Sequence, residues 1–213
     1  WMICLSFMKK NIDINSWERR DLFLFFKQFE EPFFGICVEV DVTAAYDRCK
    51  ARGISFFLYY LHKALAAANA VDAFRYRIDG EQVVLYDVVN ASPTINRPNG
   101  TFGFAYMDYL PEFDAFAEAA QLEIARVQQS EGLQPANSSE NVIHFSSLPW
   151  LRFTGLSHAR SFSFNDSIPK ISFGKASRDG ERLLMPVSIH AHHGLVDGYH
   201  VGLLIDRFQE LLS

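Results

Sequence analysis

The chain has 213 residues, 49% of them apolar, and a formal net charge of −5. This is enough for one domain with a sizeable core, and no Pro-, Gly- or Ser-rich linker divides it, so we expect residues 1–213 to form a single domain. The negative charge without a basic patch argues against a nucleic-acid partner, and no apolar run reaches the ~20 residues that span a membrane.

Residues 1–10 are predicted to form an amino-terminal arm. The first eight are apolar, but they lack the basic start and the small-residue cleavage site of a signal peptide. The cysteines Cys4, Cys37 and Cys49 are odd in number and widely spaced, with no CxxC pair, which argues against a disulfide framework or a structural zinc site. We therefore expect a protein of a reducing compartment, the cytoplasm.

The first half of the chain predicts helices and strands in alternation. Ile12–Phe29 carries an apolar stripe at helical spacing, with Ser16 as its expected N-cap. The further predictions are a strand at Phe33–Val42, helices at Thr43–Gly53 and Ser55–Ala70, a hairpin at Arg75–Tyr86 turning at Asp79-Gly80, one or two strands within Ala91–Tyr109 around Asn99-Gly100, and a helix at Glu112–Gln129.

The second half continues this mixture of strands and helices. Asn141–Trp150 reads as a strand that leads into a Ser-Ser-Leu-Pro-Trp corner, and Ile168–Ser188 reads as a hairpin with its turn at Asp179-Gly180. Tyr199–Leu212 has the apolar stripe of a closing amphipathic helix. Strands mixed with helices and frequent hairpins predict the α+β class, with helices packed on a mixed sheet.

Pro186–Gly202 is the stretch richest in chemistry, because a strand in it ends at His-His-Gly-Leu-Val-Asp-Gly. Strand alternation places His190 and His192 on one face and His193 on the other. Three interpretations compete. The histidines are structural, or His190 and His192 are two ligands of a zinc site. In the third, which a strand followed by HHxxxDG favours, an imidazole with a pKa near ~6.5 is a general base.

The pattern HHxxxDG resembles the signature of the chloramphenicol acetyltransferase family, to which dihydrolipoamide acyltransferase cores and condensation domains are related. Two other stretches are similar to the family's motifs and follow in its order: WERRDLFLFF, which begins at Trp17, and SSLPW, which ends at Trp150. The resemblance implies a two-layer α/β sandwich around a mixed sheet. It also implies a homotrimer with active sites at the subunit interfaces.

The resemblance implies a role for each matching residue. His193 is expected to be the general base, Ser146 to donate a hydrogen bond to the reacting centre, and Ser172 to help hold a water near the tetrahedral intermediate. Arg19 is expected to form a buried ion pair with Asp197, because a bidentate guanidinium neutralises a buried carboxylate and fixes the corner that aims the imidazole.

The resemblance further implies acetyl-CoA as co-substrate, with Lys175 near the coenzyme and no metal. Phe25, Phe26 and Phe102 are expected to line the acceptor pocket. The implied reaction is O-acetylation of chloramphenicol, an antibiotic-resistance activity, or of a similar small apolar alcohol. Two positions depart from the family: Phe26 stands where drug-acetylating members have a tyrosine, and His144 stands where asparagine is common.

Two alternative functions remain open for this fold. A dihydrolipoamide acyltransferase core normally follows a lipoyl domain and a flexible linker, and this sequence contains neither. A catalytically inactive binding or assembly domain of the same fold is the other alternative, and the intact His193, Ser146, Arg19 and Asp197 argue against it.

Overall fold

The structure is a computed structural model that describes residues 8–133, 139–160 and 166–213. Most of the predicted arm, including Cys4, lies outside the described residues. The helices are α1 (Arg20–Phe26), α2 (Thr43–Arg52), α3 (Phe56–Asn69), α4 (Phe113–Gln129) and α5 (Gly198–Leu212). The strands are β1 (Lys9–Ile12), β2 (Phe33–Asp41), β3 (Tyr76–Asp79), β4 (Gln82–Tyr86), β5 (Asn90–Asn96), β6 (Phe102–Phe104), β7 (Val142–Leu148), β8 (Lys170–Gly174), β9 (Ser177–Asp179) and β10 (Arg182–His192).

The larger of two sheets organises the fold. Its strands follow the order β2-β10-β8-β7-β5-β6, and the short β9 also pairs with β10. Strands β5, β7 and β8 run parallel to one another, whereas β6 is antiparallel to β5 and β10 is antiparallel to β2, β8 and β9. Strands β1, β4 and β3 form a second, three-stranded sheet. The predicted α+β class with a mixed sheet is therefore confirmed.

Helices cover one face of the large sheet because alternate side chains of its central strands are apolar. Phe173 of β8 contacts Tyr60 of α3 at 4.7 Å and Phe208 of α5 at 6.1 Å between ring centroids. The side chains of Phe145, Phe173 and Val187 are almost fully buried on this face. The intervening positions of the same strands point away from the helices, and they carry the polar residues described below.

Most predicted boundaries agree with the structure, but two predictions are wrong. Helix α1 does not begin after Ser16, because the Ser16 hydroxyl bonds back to Asp13 Oδ2 at 3.0 Å and turns lead on to Arg20. Ser146 and Ser147 lie inside β7 and not in a corner, since parallel pairing with β8 extends the strand to Leu148. The turn follows at residues 149–150.

Candidate active site

His193 lies directly after the last residue of β10, at the edge where β10 meets β2. Its backbone N–H donates to the carbonyl oxygen of Pro32 at 2.8 Å. Its imidazole stacks on Phe26, with ring centroids 4.0 Å apart and planes 5° from parallel, and it lies 4.5 Å from the ring of Phe34. The Nδ1 atom is buried and has no hydrogen-bond partner among the described residues. Aromatic packing thus fixes the ring without engaging this nitrogen.

Arg19 and Asp197 form an ion pair that contacts the backbone of this histidine. Arg19 Nη1 donates to Asp197 Oδ2 at 2.7 Å, and Nη2 donates to the carbonyl oxygen of His193 at 3.4 Å. The other carboxylate oxygen of Asp197 caps α5 by accepting from the N–H groups of Tyr199 and His200. Burial raises the pKa of Asp197, but the hydrogen bond from Arg19 and the charges of His200 and Arg19 outweigh it, so the net pKa is lowered.

Ser146 and Ser172 lie in one row across the sheet, on the face away from the helices. Ser146 of β7 is in register with Ser172 of β8, which is in register with Ser188 of β10. Ser172 and Ser188 are fully buried, and Ser146 is half-buried. The Ser172 hydroxyl lies 3.5 Å from Nε2 of His158, which comes from the loop that follows β7.

The structure does not bring Ser146 and His193 together within one chain. Ser146 lies two strands away from Ser188 of β10, and His193 follows Ser188 by five residues. At about 3.3 Å per residue and about 4.8 Å per strand, the backbones of Ser146 and His193 are roughly 15–20 Å apart. Their side chains cannot span that distance, so two groups of expected site residues are separated in the single chain.

The expected acceptor-binding phenylalanines divide between these two groups. Phe25 and Phe26 lie on α1 next to His193, with their ring centroids 5.1 Å apart, and the Phe25 side chain is exposed. Phe102 is on β6, at the opposite edge of the large sheet, where it is exposed and packs against Phe104 at 5.7 Å. Within one chain, Phe102 therefore lies nearer in strand order to Ser146 of β7 than to His193 after β10.

A cavity of about 570 Å³ opens beside β7 and contains Lys175 in its lining. The aromatic side chains of Phe56, Tyr60 and Trp150 line it, together with Ser147, the residue that follows Ser146 in the chain. The Tyr60 hydroxyl donates to Ser147 Oγ at 3.1 Å. Lys175 is exposed, so a charged group lies at the mouth of a mainly apolar cavity.

The face that carries Ser146 and Ser172 also holds histidines and a lysine that the sequence reasoning did not assign to the site. His144 of β7, Lys170 of β8 and His190 of β10 form the next row in register. The polar alternation of His144 with Ser146, and of Lys170 with Ser172, was the sequence signal for this shared face. His144 is exposed at this face of the single chain.

The two histidines that a zinc site would use make different contacts. His190 Nδ1 lies 3.2 Å from Ser188 Oγ, whereas His192 Nδ1 accepts from the N–H of Gly194 at 3.1 Å. Within residues 8–133, 139–160 and 166–213, no three His, Cys, Asp or Glu side chains are placed to hold a metal ion. No helix in these same ranges is long and apolar enough to cross a membrane.

Comparison with known proteins gives the same family in sequence and in structure. The family model described as chloramphenicol acetyltransferase matches residues 7–209. The chain is 27% identical to chloramphenicol acetyltransferase 2 of Escherichia coli, over 93% of this chain and 94% of that protein. It is 28% identical to a chloramphenicol acetyltransferase of Staphylococcus aureus, over 94% of each.

Solved structures extend the comparison to the fold. A chloramphenicol acetyltransferase structure superposes with a TM-score of 0.90 and 36% identity, over 97% of this chain and 100% of that one. A probable dihydrolipoamide acetyltransferase from Listeria monocytogenes shares the fold at a TM-score of 0.68 and 13% identity, over 90% and 88% of the two chains. The family match over nearly the whole length shows that the chain is an acyltransferase of the chloramphenicol acetyltransferase family.

Proposed function

We propose that the chain acts as one domain that transfers the acetyl group of acetyl-CoA to a hydroxyl of chloramphenicol or of a similar small alcohol, in the cytoplasm. The observation that carries this is the setting of His193. Its ring is held between Phe26 and Phe34, and its carbonyl accepts from an arginine that is itself fixed by Asp197. An imidazole whose orientation is already fixed in this way loses little rotational freedom when a substrate binds.

The proposed reaction is a direct transfer without a covalent enzyme intermediate. His193 removes the proton of the acceptor hydroxyl as its oxygen bonds to the thioester carbonyl carbon. Ser146 donates to the oxyanion that forms, and the buried Ser172 holds a water beside it. When the carbon–sulfur bond breaks, the thiolate of coenzyme A takes the proton back from His193. A positioned base contributes ~10²–10⁴-fold, and an oxyanion donor ~10²–10³-fold.

The cavity beside β7 is the proposed site of acetyl-CoA. It lies where β7 ends, at Ser147 and Trp150. Ser147 points to the helix-facing side of the sheet, opposite to the proposed oxyanion donor. The aromatic lining of the cavity suits the apolar parts of the pantetheine arm. Lys175 at its mouth supplies a point charge for a phosphate group of the coenzyme.

The separation of His193 from Ser146 supports an active site shared between copies of the chain. Since neither side chain reaches the other within one subunit, we propose a homotrimer in which His193 of one subunit faces Ser146 of its neighbour. The exposed aromatic surface of Phe25 and Phe29 on and after α1 then becomes buried against the neighbouring subunit.

The primary test is release of free thiol from acetyl-CoA with chloramphenicol, other alcohols and dihydrolipoamide as acceptors. We expect turnover with an alcohol and a loss of ~10²–10⁴-fold in the His193→Ala variant. Equal rates for this variant and the original protein would refute the assignment of the base. A preference for dihydrolipoamide would favour the lipoamide acyltransferase alternative, and no release with any acceptor would favour the inactive binding domain.

A mixing experiment tests the shared site directly. His193→Ala and Ser146→Ala are each expected to be nearly inactive, but subunits unfolded and refolded together form some interfaces with both side chains intact. Activity of the mixture well above that of either variant refolded alone is the expected result. A mixture no more active than the separate variants, despite assembling normally by size-exclusion chromatography, would contradict the shared site.

A further inference from the structure

His200, in the first turn of α5, contacts the carboxylate of Asp197. Nδ1 of His200 lies 2.9 Å from Asp197 Oδ1, whereas Arg19 bonds to the other oxygen, Oδ2. The His200 side chain is only 20% exposed, so this contact is partly shielded from water. The motif HHxxxDG ends at Gly198 and gives His200 no role. The contact therefore adds a residue to the surroundings of the proposed base.

Two distances indicate where the proton of the His200 ring lies. Nδ1 is 2.9 Å from Asp197 Oδ1 and 3.3 Å from the backbone nitrogen of Asp197. A bare Nδ1 would accept weakly from that N–H, but it would also point its lone pair at a carboxylate oxygen, and two acceptors in contact repel each other. A proton on Nδ1 makes the shorter contact a charge-assisted hydrogen bond. The geometry therefore favours the tautomer that carries its proton on Nδ1.

The charge state of His200 agrees with a single proton. Burial lowers the pKa of His200 more than the negative charge of Asp197 raises it, and the positive charge of Arg19 lowers it further. At about pH 8 the ring is therefore neutral and has one donor and one acceptor nitrogen. With the donor at Nδ1, the acceptor is Nε2.

The other hydrogen bonds of Asp197 restrain its carboxylate only loosely. Arg19 makes one hydrogen bond to it, through Nη1 at 2.7 Å, and not the two of a bidentate pair. The backbone N–H groups that reach Oδ1 do so at 3.0 Å from Tyr199 and 3.4 Å from His200. The Nδ1 atom of His200, at 2.9 Å, makes the shortest contact with Oδ1. Rotation of the carboxylate about the Cβ–Cγ bond is thus limited mainly by the His200 ring.

The orientation of this carboxylate affects the backbone of the proposed base through Arg19. Oδ2 of Asp197 holds Nη1, and Nη2 of the same guanidinium donates to the carbonyl oxygen of His193 at 3.4 Å. The latter distance is long for a hydrogen bond, so a small shift of the guanidinium removes it. Arg19 Nε is buried and makes no hydrogen bond within the described residues. Among these residues, the two bonds alone hold the guanidinium.

Building on the proposed function, we infer that His200 is a positioning residue for the acetyl transfer. Its Nδ1–H holds the Asp197 carboxylate in the orientation that engages Arg19. Arg19 in turn keeps the backbone of His193 in place. His200 acts through these two side chains and not on the reacting atoms, so it raises kcat and leaves the binding of acetyl-CoA unchanged.

The test compares kcat per folded molecule in the thiol-release assay. Asn places an amide N–H about where the Nδ1–H of His lies, so His200→Asn is the conservative variant, whereas His200→Leu keeps the volume without the donor. We expect kcat to fall about threefold to tenfold in His200→Leu, which is the effect of one hydrogen bond, with KM for acetyl-CoA unchanged. His200→Asn should retain most of the rate.

Leu203 provides the matched control. It lies one turn after His200 on α5, is 39% exposed, and lines the same cavity of about 560 Å³ as His200 and Arg19. Leu203→Ala changes the packing of this cavity but removes no hydrogen bond. It should keep the full kcat. A loss in Leu203→Ala as large as that in His200→Leu would assign the effect to packing and overturn the inference.

A double substitution separates positioning from a general structural role. In an Asp197→Asn background the connection to Arg19 is already broken, so His200→Leu should lower kcat little further. An equal further loss in this background would overturn the inference, because His200 would then act by another route. A merely structural role would lower stability and leave kcat per folded molecule unchanged.

The tautomer can be measured without any variant. In protein labelled with ¹⁵N-histidine at about pH 8, the nitrogen chemical shifts of His200 should show Nδ1 protonated and Nε2 bare. A bare Nδ1 would overturn the inference even if no substituted protein folds.

The remaining outcomes distinguish this inference from the proposed function. An unchanged kcat in a folded His200→Leu protein, or equal losses in His200→Leu and His200→Asn, overturns the role of the hydrogen bond while the acetyltransferase activity stands. Absence of turnover in the original protein with every alcohol overturns the proposed function, and this inference with it.

Discussion

The ion pair between Arg19 and Asp197 makes a sharp prediction about stability and catalysis together. Replacing Asp197 by Asn removes the negative charge but keeps a side-chain oxygen that caps α5, because Asn is as good an N-cap as Asp. The guanidinium of Arg19, whose side chain is only 13% exposed, then loses its charged partner. The variant therefore isolates the charge from the cap.

The expected cost follows from the burial of the pair. Breaking a fully buried pair costs about 3–5 kcal/mol, and a hydrogen bond between charged groups contributes about 1.5–3 kcal/mol. Since the Asp197 side chain is 28% exposed, solvent screens part of the interaction, and we expect a loss of about 2 kcal/mol in the free energy of unfolding. For a chain of this size, that lowers Tm by roughly 4–8 °C.

Catalysis should respond through His193. Arg19 Nη2 donates to the His193 carbonyl oxygen, so loss of the pair loosens the backbone that aims the imidazole. We expect kcat of Asp197→Asn to fall at least about tenfold in the thiol-release assay, with KM for acetyl-CoA nearly unchanged. A purely structural role would lower only the fraction of folded enzyme.

The control is Glu210→Gln, which breaks the exposed pair between Glu210 and Arg207, where the side chains are 65% and 50% exposed. Such surface pairs contribute about 0–1 kcal/mol. Urea unfolding at matched protein concentration compares the two variants. If Asp197→Asn costs no more than Glu210→Gln, the argument from burial fails. If stability falls while kcat per folded molecule does not, Arg19 and Asp197 stabilise the fold without positioning the base.

Two further predictions concern histidines of β10. A Cβ at Gly35 would lie 2.5 Å from Nε2 of His190. Gly35→Ala should therefore lower the free energy of unfolding, measured in urea, by about 1–3 kcal/mol, and by almost nothing in a His190→Ala background. An equal loss in both backgrounds would contradict this contact. Burial, followed by the charge of Arg160, lowers the pKa of His192 from 6.5 to about 4. Between these pH values the folded state therefore binds fewer protons than the unfolded state. The free energy of unfolding should decrease as the pH falls through this interval, by about 3 kcal/mol for His192. His192→Asn should reduce that pH dependence by about one proton; an unchanged slope would show that other groups cause it.

Local patterns in the sequence were sufficient to predict which segments form helices and which form strands. The apolar stripe of Tyr199–Leu212 and the Asp179-Gly180 turn correspond to α5 and the β9–β10 turn, since helix period, strand alternation and turn chemistry depend on neighbouring residues. The predicted start of α1 was wrong because the hydroxyl of Ser16, which could have capped a helix, donates to Asp13 instead.

The sequence by itself determined that this is an α+β chain, and its three motifs identified the family and the residues expected to react. Only the tertiary structure decided which side chains share a surface. Strand register sets His144, Lys170 and His190 beside Ser146 and keeps His193 far from it, whereas the pair of Arg19 and Asp197, 178 residues apart, was already expected from the motifs. The physical reason is that strand register depends on which complete face of each strand becomes buried against the rest of the fold. The spacing of residues within one segment does not encode this.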